Sequence, residues 1–114
     1  ALAHALVANC LWEADFDILI AGKGAAGGDA TYVAGVLSHA LTLLAHALHA
    51  HARGWVTTEK GIVPAASTLT GAPADFAARA HACFGHLDPD PAELRRSVDA
   101  ARLLVAEVRM AVEE

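Results

Sequence analysis

One segment constrains the fold more than any other, because its apolar residues recur with a helical period over more than 20 positions. Between Asp29 and Gly54, eight side chains fall on one face at about 100° per residue. They are Val33, Val36, Leu37, Ala40, Leu44, Ala47, Leu48 and His51. Asp29 is a suitable N-cap and Gly54 a suitable stop signal. The pattern predicts a long helix with this face in the core.

The opposite face of this helix is polar and rich in imidazole. It carries Ser38, His39, Thr42, His46, His49 and Arg53. His46 and His49 are three residues apart, so their side chains are neighbours on a helix and could share a metal ion. No His-Glu-x-x-His motif and no evident third ligand accompany them. A metal site, a polar surface facing a cavity or partner, and plain exposed histidines all stay open as interpretations.

The remaining segments also favour helices. We predict helices over 2–22, 64–69, 74–86 and 91–112, and a break over the glycine-rich run 22–28. The predicted core stripe of the first helix is Leu2, Ala5, Leu6, Trp12, Phe16, Leu19 and Ile20. Asp90, Pro91 and Glu93 form a capping-box arrangement at the start of the last helix. Phe76, Ala77, Ala80 and Phe84 form the predicted stripe of the helix before it.

These elements predict an all-α fold, an antiparallel up-and-down bundle of three long helices with one or two short ones. The chain is rich in alanine and only 5% aromatic, which favours helices over a β-sandwich. We expect residues 1–114 to form a single domain. Because the sequence does not begin with Met, we expect it to be the C-terminal part of a longer chain.

Charge and cysteine usage exclude several classes of protein. The net charge is −5 and the eight Lys and Arg residues are dispersed, so no basic surface for nucleic acid is evident. Cys10 and Cys83 form neither a CxxC unit nor a disulfide framework, which is typical of buried thiols in a reducing, cytoplasmic setting. No uninterrupted apolar run of membrane-spanning length and no signal peptide are present, so we expect no membrane partner.

Three short motifs have residue types that are typical of metal, phosphate or ribonuclease sites, but their surroundings in the sequence do not fit those sites. Asp15 and Asp17 would point in roughly opposite directions on a helix, so we interpret them as solvated charges rather than a metal site. The run 22–28 lacks the Gly-Lys-Ser/Thr ending of a phosphate-binding loop, and Asp29 follows it. Arg79 and His86 have the spacing of the Arg-x4-6-His motif of HEPN ribonucleases, but about one such match is expected by chance among the arginines and histidines here.

The most distinctive stretch is Thr57–Gly61, with Glu59 and Lys60 adjacent to each other and Trp55 just upstream. Opposite charges followed by glycine suggest a fixed turn, and an indole ring suits the wall of a cleft. An ordinary surface turn with a weak local ion pair is the alternative.

Several segments of the chain, taken together, resemble a known protein family. The run Gly28-Asp-Ala-Thr-Tyr-Val-Ala-Gly35, the helix over 36–53 and Trp55-Val-Thr-Thr-Glu-Lys-Gly61 are similar to the helical C-terminal domain of bacterial nucleotidyltransferase-fold proteins. Phe16 and Lys23 stand where members often have an aromatic residue and a lysine. The resemblance covers about residues 13–80. Members often have Asn near the end of the long helix, where this chain has Ala52, so any contact made by that Asn is in doubt.

The resemblance implies a HEPN-like helical domain that packs against an N-terminal catalytic domain and helps select the acceptor of a nucleotidyl group. Mg²⁺ and a nucleoside triphosphate would belong to the full-length protein, and this domain would hold no cofactor or metal itself. The expected partners are that catalytic domain and a small-molecule acceptor, and a homodimer stays open. The substrate-binding candidates are Asp29, Tyr32, His39, His46, Trp55, Glu59 and Lys60.

The catalytic residues are not identified by the sequence. The alternative functions are a stand-alone HEPN-type module of a toxin–antitoxin pair and a structural or metal-binding helical bundle. The residues encoded before Ala1 would separate these hypotheses, because a catalytic domain should carry a Gly-Ser turn followed by Asp-x-Asp on a strand.

Overall fold

The computed structural model describes residues 2–54 and 56–113, and it is all-α. The helices are α1 (Leu2–Ala26), α2 (Ala30–His51), α3 (Ile62–Ala66), α4 (Phe76–Ala82) and α5 (Pro91–Glu113), with a 3₁₀ turn at Cys83–His86. No strand occurs in the described residues. Three long helices and two short ones confirm the predicted class.

The three long helices pack against one another around one core, and α1 runs antiparallel to α2. The short helices carry the chain back along the bundle, so α5 also runs antiparallel to α1 and therefore parallel to α2. Gly28, between α1 and α2, accordingly lies beside Pro89 at the start of α5. At the far end of the bundle, Arg109 of α5 reaches Asp15 of α1.

The predicted break of α1 at Gly22 is wrong. The helix continues through the first part of the glycine-rich segment and ends at Ala26. The helix retains Gly22 and Gly24 because neighbouring elements come close there. A Cβ on Gly24 would lie 2.8 Å from the Tyr32 ring, and one on Gly22 would lie 3.2 Å from the Arg95 guanidinium. The chain turns only at Gly28, whose φ of +72° lies in the left-handed region that glycine adopts without strain.

The predicted core face of α1 is wrong, because the helix is turned the other way. The residues that enter the core are Val7, Cys10, Leu11, Ala14, Ile18, Ala21 and Ala25. Of the predicted stripe, Ile20 is half-buried, while Leu2, Ala5, Leu6, Trp12, Phe16 and Leu19 are exposed. Small side chains explain the choice, since Ala14, Ala21 and Ala25 let α1 approach its neighbours closely.

Helix α2 is the central helix of the fold. Ten of its residues are buried, among them Leu37 and Leu44, which are fully inaccessible. Two details of its predicted core face differ, since Val36 is half-buried and His51 is exposed. By length and composition alone, α2 is apolar enough to cross a membrane. Its central place in the core accounts for that apolarity equally well.

The later helices follow the predicted boundaries with small shifts. The helix predicted at 64–69 occupies Ile62–Ala66, and the one predicted at 74–86 divides into α4 and the 3₁₀ turn. Phe76 and Ala80 are buried and Ala77 and Phe84 half-buried. The backbone N–H of Glu93 donates to Asp90 Oδ2 at 3.2 Å, which confirms Asp90 as the cap of α5.

Candidate functional site

The predicted site residues lie at the two ends of α2 rather than in one place. Asp29 and Tyr32 lie at its start, and Glu59 and Lys60 follow its end. A helix of this length spans about 33 Å, so the two groups cannot contact one ligand. Trp55 lies outside the described residues.

Asp29 has a structural contact that accounts for its position. Its Oδ1 accepts a hydrogen bond from the backbone N–H of Tyr32 at 3.2 Å, which is the N-cap that the sequence predicted. The Tyr32 side chain is partly exposed and its ring covers Gly24. Their roles in substrate binding stay predictions.

His39 forms a contact that sequence reasoning missed. Its Nδ1 lies 2.5 Å from Oδ2 of Asp17, and this pair links α2 to α1. Asp17 is only 7% exposed, so its interpretation as a solvated charge was wrong. A buried carboxylate needs a partner, and His39 supplies one. Asp15 is exposed and pairs instead with Arg109 on α5, so the two carboxylates point to different neighbours as predicted.

His46 and Glu59 are the two predicted site residues that the structure brings together. His46 Nε2 lies 3.3 Å from Glu59 Oε2, and the carboxylate is largely exposed. About one turn further along α2, Nε2 of His49 lies 3.2 Å from the carbonyl oxygen of Ile62. Both histidines therefore face the connector to α3, each with its own partner. No group of three or more potential metal ligands occurs in residues 2–54 and 56–113.

Lys60 lies in an exposed turn. Its backbone N–H donates to Thr58 Oγ1 at 3.2 Å, and Gly61 follows with a left-handed φ of +78°. The turn therefore has the fixed geometry that the sequence suggested. Lys60 takes part in none of the ion pairs among the described residues, and it is exposed, so its charge is accessible to solvent.

Arg79 and His86, which matched the spacing of a ribonuclease motif, are held in separate ion pairs. Arg79 binds both carboxylate oxygens of Glu107, at 2.7 and 2.5 Å. These hydrogen bonds raise the pKa of Arg79 and lower the pKa of Glu107. His86 lies 3.1 Å from Glu93. The bidentate contact with Glu107 occupies the Arg79 guanidinium.

The two thiols are buried and free, as predicted. Burial raises the pKa of both Cys10 and Cys83, which favours the unreactive protonated form. Cys83 also donates its S–H to the carbonyl oxygen of Arg79 at 3.3 Å. Cys10 and Cys83 are therefore core residues.

The most prominent surface feature is the face of α1 that was assigned to the core. We call it the outer stripe and define it as Leu2, Leu6, Trp12, Phe16 and Leu19, all exposed. The rings of Trp12 and Phe16 are stacked, with centroids 6.2 Å apart and planes 3° from parallel. A shallow cavity of about 490 Å³ adjoins the stripe, with Leu19 on one side and Met110 of α5 on the other. The signal was in the sequence, because α1 is apolar on two faces and a core can cover only one.

A second surface feature lies at the end of the bundle where α1 begins and α2 and α5 end. A cavity of about 620 Å³ opens there, and we call it the end cavity. Trp12, His51 and Arg53 belong to its lining. Sequence reasoning placed Arg53 on the polar stripe of α2 but did not bring it near α1 or α5, because helix pairing is not visible in the periodicity.

Comparison with known proteins adds no family assignment. No protein-family model matches the chain, and no curated protein or solved structure matches it either.

Proposed function

We propose that this chain is the acceptor-binding helical domain of a nucleotidyltransferase, and that its outer stripe packs against a separate catalytic domain. The observation that carries the proposal is the outer stripe itself. Five large apolar side chains on one helix face are exposed to solvent, while the opposite face of the same helix fills the core. Large apolar side chains exposed on one helix face are typical of a protein interface.

The nature of the stripe supports a protein partner. The rings of Trp12 and Phe16 are stacked and exposed, so together they present a broad apolar surface to a partner. Aromatic residues are enriched at the centres of interfaces. The similarity of residues 13–80 to helical domains of nucleotidyltransferase-fold proteins implies which partner this is, namely the catalytic domain.

The acceptor would bind near the end of α2, where His46 and Glu59 are in contact and Lys60 is exposed. Glu59 offers a carboxylate to a hydroxyl or amine of the acceptor, and Lys60 offers a cation to developing phosphate charge. Trp55 would be a wall of this site. Asp29, Tyr32 and His39 lie further from this end of α2, so the proposal places the acceptor against His46, Glu59 and Lys60.

Mg²⁺ and the nucleoside triphosphate would be held by the catalytic domain. Asp15 and Asp17 do not fit a metal site, because Arg109 and His39 engage them on different sides of α1. When bound in the catalytic domain, the metal would activate the triphosphate for transfer. The residues described here would orient the acceptor.

The test of the acceptor site is turnover of the assembly with its catalytic domain. We expect Lys60→Ala to lower nucleotidyl transfer by about tenfold or more, the effect of losing one charge contact in the transition state. The melting temperature should change little, since Lys60 is exposed. Arg96→Ala, which removes an exposed positive charge on α5, is the control and should leave turnover unchanged. Retained activity with a lower melting temperature would make Lys60 a turn residue only.

The test of the interface is co-purification with the catalytic domain. We expect Phe16→Ser with Leu19→Ser to abolish association and to leave the melting temperature of the helical domain within a few degrees. Self-association of the free chain that the same variants abolish would favour a homodimer. The isolated chain should show no nucleotidyl transfer and no RNA cleavage. RNA cleavage lost in His86→Ala would instead favour the stand-alone HEPN-type module.

A further inference from the structure

The end cavity combines an apolar floor with charged walls. It lies between the first turns of α1 and the last turns of α2 and α5. Val7 and Leu11 of α1 and Val112 of α5 line it, and Trp12 stands at its edge. Its volume of about 620 Å³ is in the range of pockets that hold small organic ligands, about 300–1,000 Å³.

The charges around the end cavity leave a cation available. Its lining includes Arg53, Arg109, Asp15 and Glu113, besides His4 and His51. Arg109 is paired with Asp15. Arg53 has no carboxylate within 4.0 Å among the described residues. Among residues 2–54 and 56–113, the lining of the cavity therefore has one guanidinium that forms no ion pair, that of Arg53, in a chain whose net charge is −5.

The backbone of Arg53 is held in a conformation that favours glycine. Its φ is +63°, in the left-handed region. It occupies the position after the helix cap in a Schellman arrangement, since the N–H of Arg53 donates to Ala50 O at 2.9 Å and the N–H of Gly54 to His49 O at 2.8 Å. Glycine is the usual residue at that position, and here the glycine comes one residue later. Unfavourable backbone conformations of this kind cluster at functional sites.

We propose that the end cavity is a binding site for a small organic monoanion with an apolar body, and that Arg53 contacts the anionic group. The body would lie on Val7, Leu11 and Val112, with Trp12 beside it. Aryl and alkyl carboxylates, sulfonates and phosphate diesters share this chemistry. The two carboxylates in the lining, Asp15 and Glu113, oppose a ligand with several negative charges, so a single charge is favoured. The proposal goes beyond the proposed function, because it requires neither a catalytic domain nor an acceptor.

The experiment compares two fluorescent probes of the same shape. 1-Anilinonaphthalene-8-sulfonate carries one negative charge on an aryl body, and N-phenyl-1-naphthylamine is nearly the same body without the charge. We expect the sulfonate to bind the chain more tightly by about tenfold, the value of one charge-assisted hydrogen bond. Equal affinity for the two probes would overturn the proposal, because it would show an apolar surface without an anion contact.

Variants locate the bound probe. Arg53→Gln removes the charge and, unlike a glycine, keeps a side chain at this left-handed position. It should weaken sulfonate binding by about tenfold. Arg53→Lys should stay within about threefold, because it keeps the charge. Arg102→Gln, an exposed arginine that lines the neighbouring cavity, is the matched control and should have no effect. Binding that survives Arg53→Gln, or that is abolished by Leu19→Ser on the outer stripe, would overturn the proposal.

A stability measurement tests the argument from backbone strain. We expect Arg53→Gly to raise the melting temperature by about 3–6 °C, because glycine adopts a positive φ without steric cost. The same variant should lose sulfonate binding as Arg53→Gln does. If Arg53→Gly is more stable but no longer binds the sulfonate, Arg53 contributes to ligand binding at a cost in stability. A lower melting temperature would show that the Arg53 side chain stabilises the fold, and the proposal would fail.

Discussion

Helices α1 and α5 contribute to the same core but differ in what their second face carries. In α5, Leu94, Val98 and Ala101 enter the core, while Arg95 and Arg102 flank Asp99 on the exposed side. In α1, the exposed side carries the outer stripe. The side opposite the core of α5 therefore mixes these charged residues with two exposed apolar ones, Leu103 and Met110, whereas that of α1 carries five large exposed apolar residues. The difference teaches that burial in the core does not exhaust the apolar surface of this chain.

The sharpest way to test this comparison is a pair of adjacent residues on α1. Ile18 is 6% exposed and Leu19 is 57% exposed. We expect Ile18→Ala to lower the free energy of unfolding by about 2–5 kcal/mol, because it leaves a cavity in the core. Leu19→Ala should change it by less than about 0.5 kcal/mol, as exposed substitutions do. Denaturant melts of the two variants measure both values, and a reversed order would show that α1 is rotated.

Leu44 on α2 gives a second measure of the core. It is completely buried, as the periodicity predicted. We expect Leu44→Ala to cost about 2–5 kcal/mol of unfolding free energy. Chemical denaturation of the free chain measures the loss. A cost below about 1 kcal/mol would mean that the core does not close around α2.

The carboxylates of α1 extend the same comparison to charge. Asp17 is buried against His39, while Asp15 is exposed and pairs with Arg109. Removing a buried, hydrogen-bonded carboxylate should cost more, so we expect Asp17→Ala to destabilise by about 1–3 kcal/mol. Asp15→Ala should cost less than about 1 kcal/mol, the usual value of an exposed ion pair. Equal costs would show that the contact of Asp17 with His39 contributes no more than a surface pair.

Periodicity and capping predicted most of the fold from the sequence. The Asp29 and Asp90 caps and the long helix α2 are visible as local patterns, because capping hydrogen bonds and helical periodicity involve residues close in sequence. The face of α1 was not predictable in this way, because two apolar faces have nearly the same helical signal. The large residues Trp12 and Phe16 favoured the wrong face, whereas alanines determined the close packing.

The candidate site was less predictable than the fold, because it depends on which helices meet. The contact between His46 and Glu59 follows from a connector that bends back along α2, and the spacing alone indicated only that both lie near its end. The contact of Asp17 with His39 and the convergence of Arg53 with α1 and α5 depend on tertiary pairing. The spacing of residues along one helix does not show which residues of other helices it contacts.

The ion pair between Arg79 of α4 and Glu107 of α5 is partly exposed, so its effect on stability should be small. Hydrogen bonding from Arg79 lowers the pKa of Glu107 in the folded chain. The stabilisation is therefore present above the carboxyl pKa of the unfolded chain, about 4.3, and is lost as the pH falls through the lower folded value. Both groups are more than a third exposed, so we expect less than about 1 kcal/mol. In Glu107→Gln, melts at pH 7 and below pH 4 should differ less than in the parent chain.

The central claim, that the outer stripe of α1 is covered by a catalytic domain, is tested most directly by labelling a cysteine placed in it. Phe16→Cys should react rapidly with a maleimide in the free chain, while buried Cys10 and Cys83 react slowly. Arg96→Cys, on an exposed part of α5, is the matched control. In the assembly with the catalytic domain, we predict that labelling at position 16 slows by about tenfold or more while labelling at position 96 is unchanged. Equal labelling of position 16 in the free chain and in an active assembly would contradict the account.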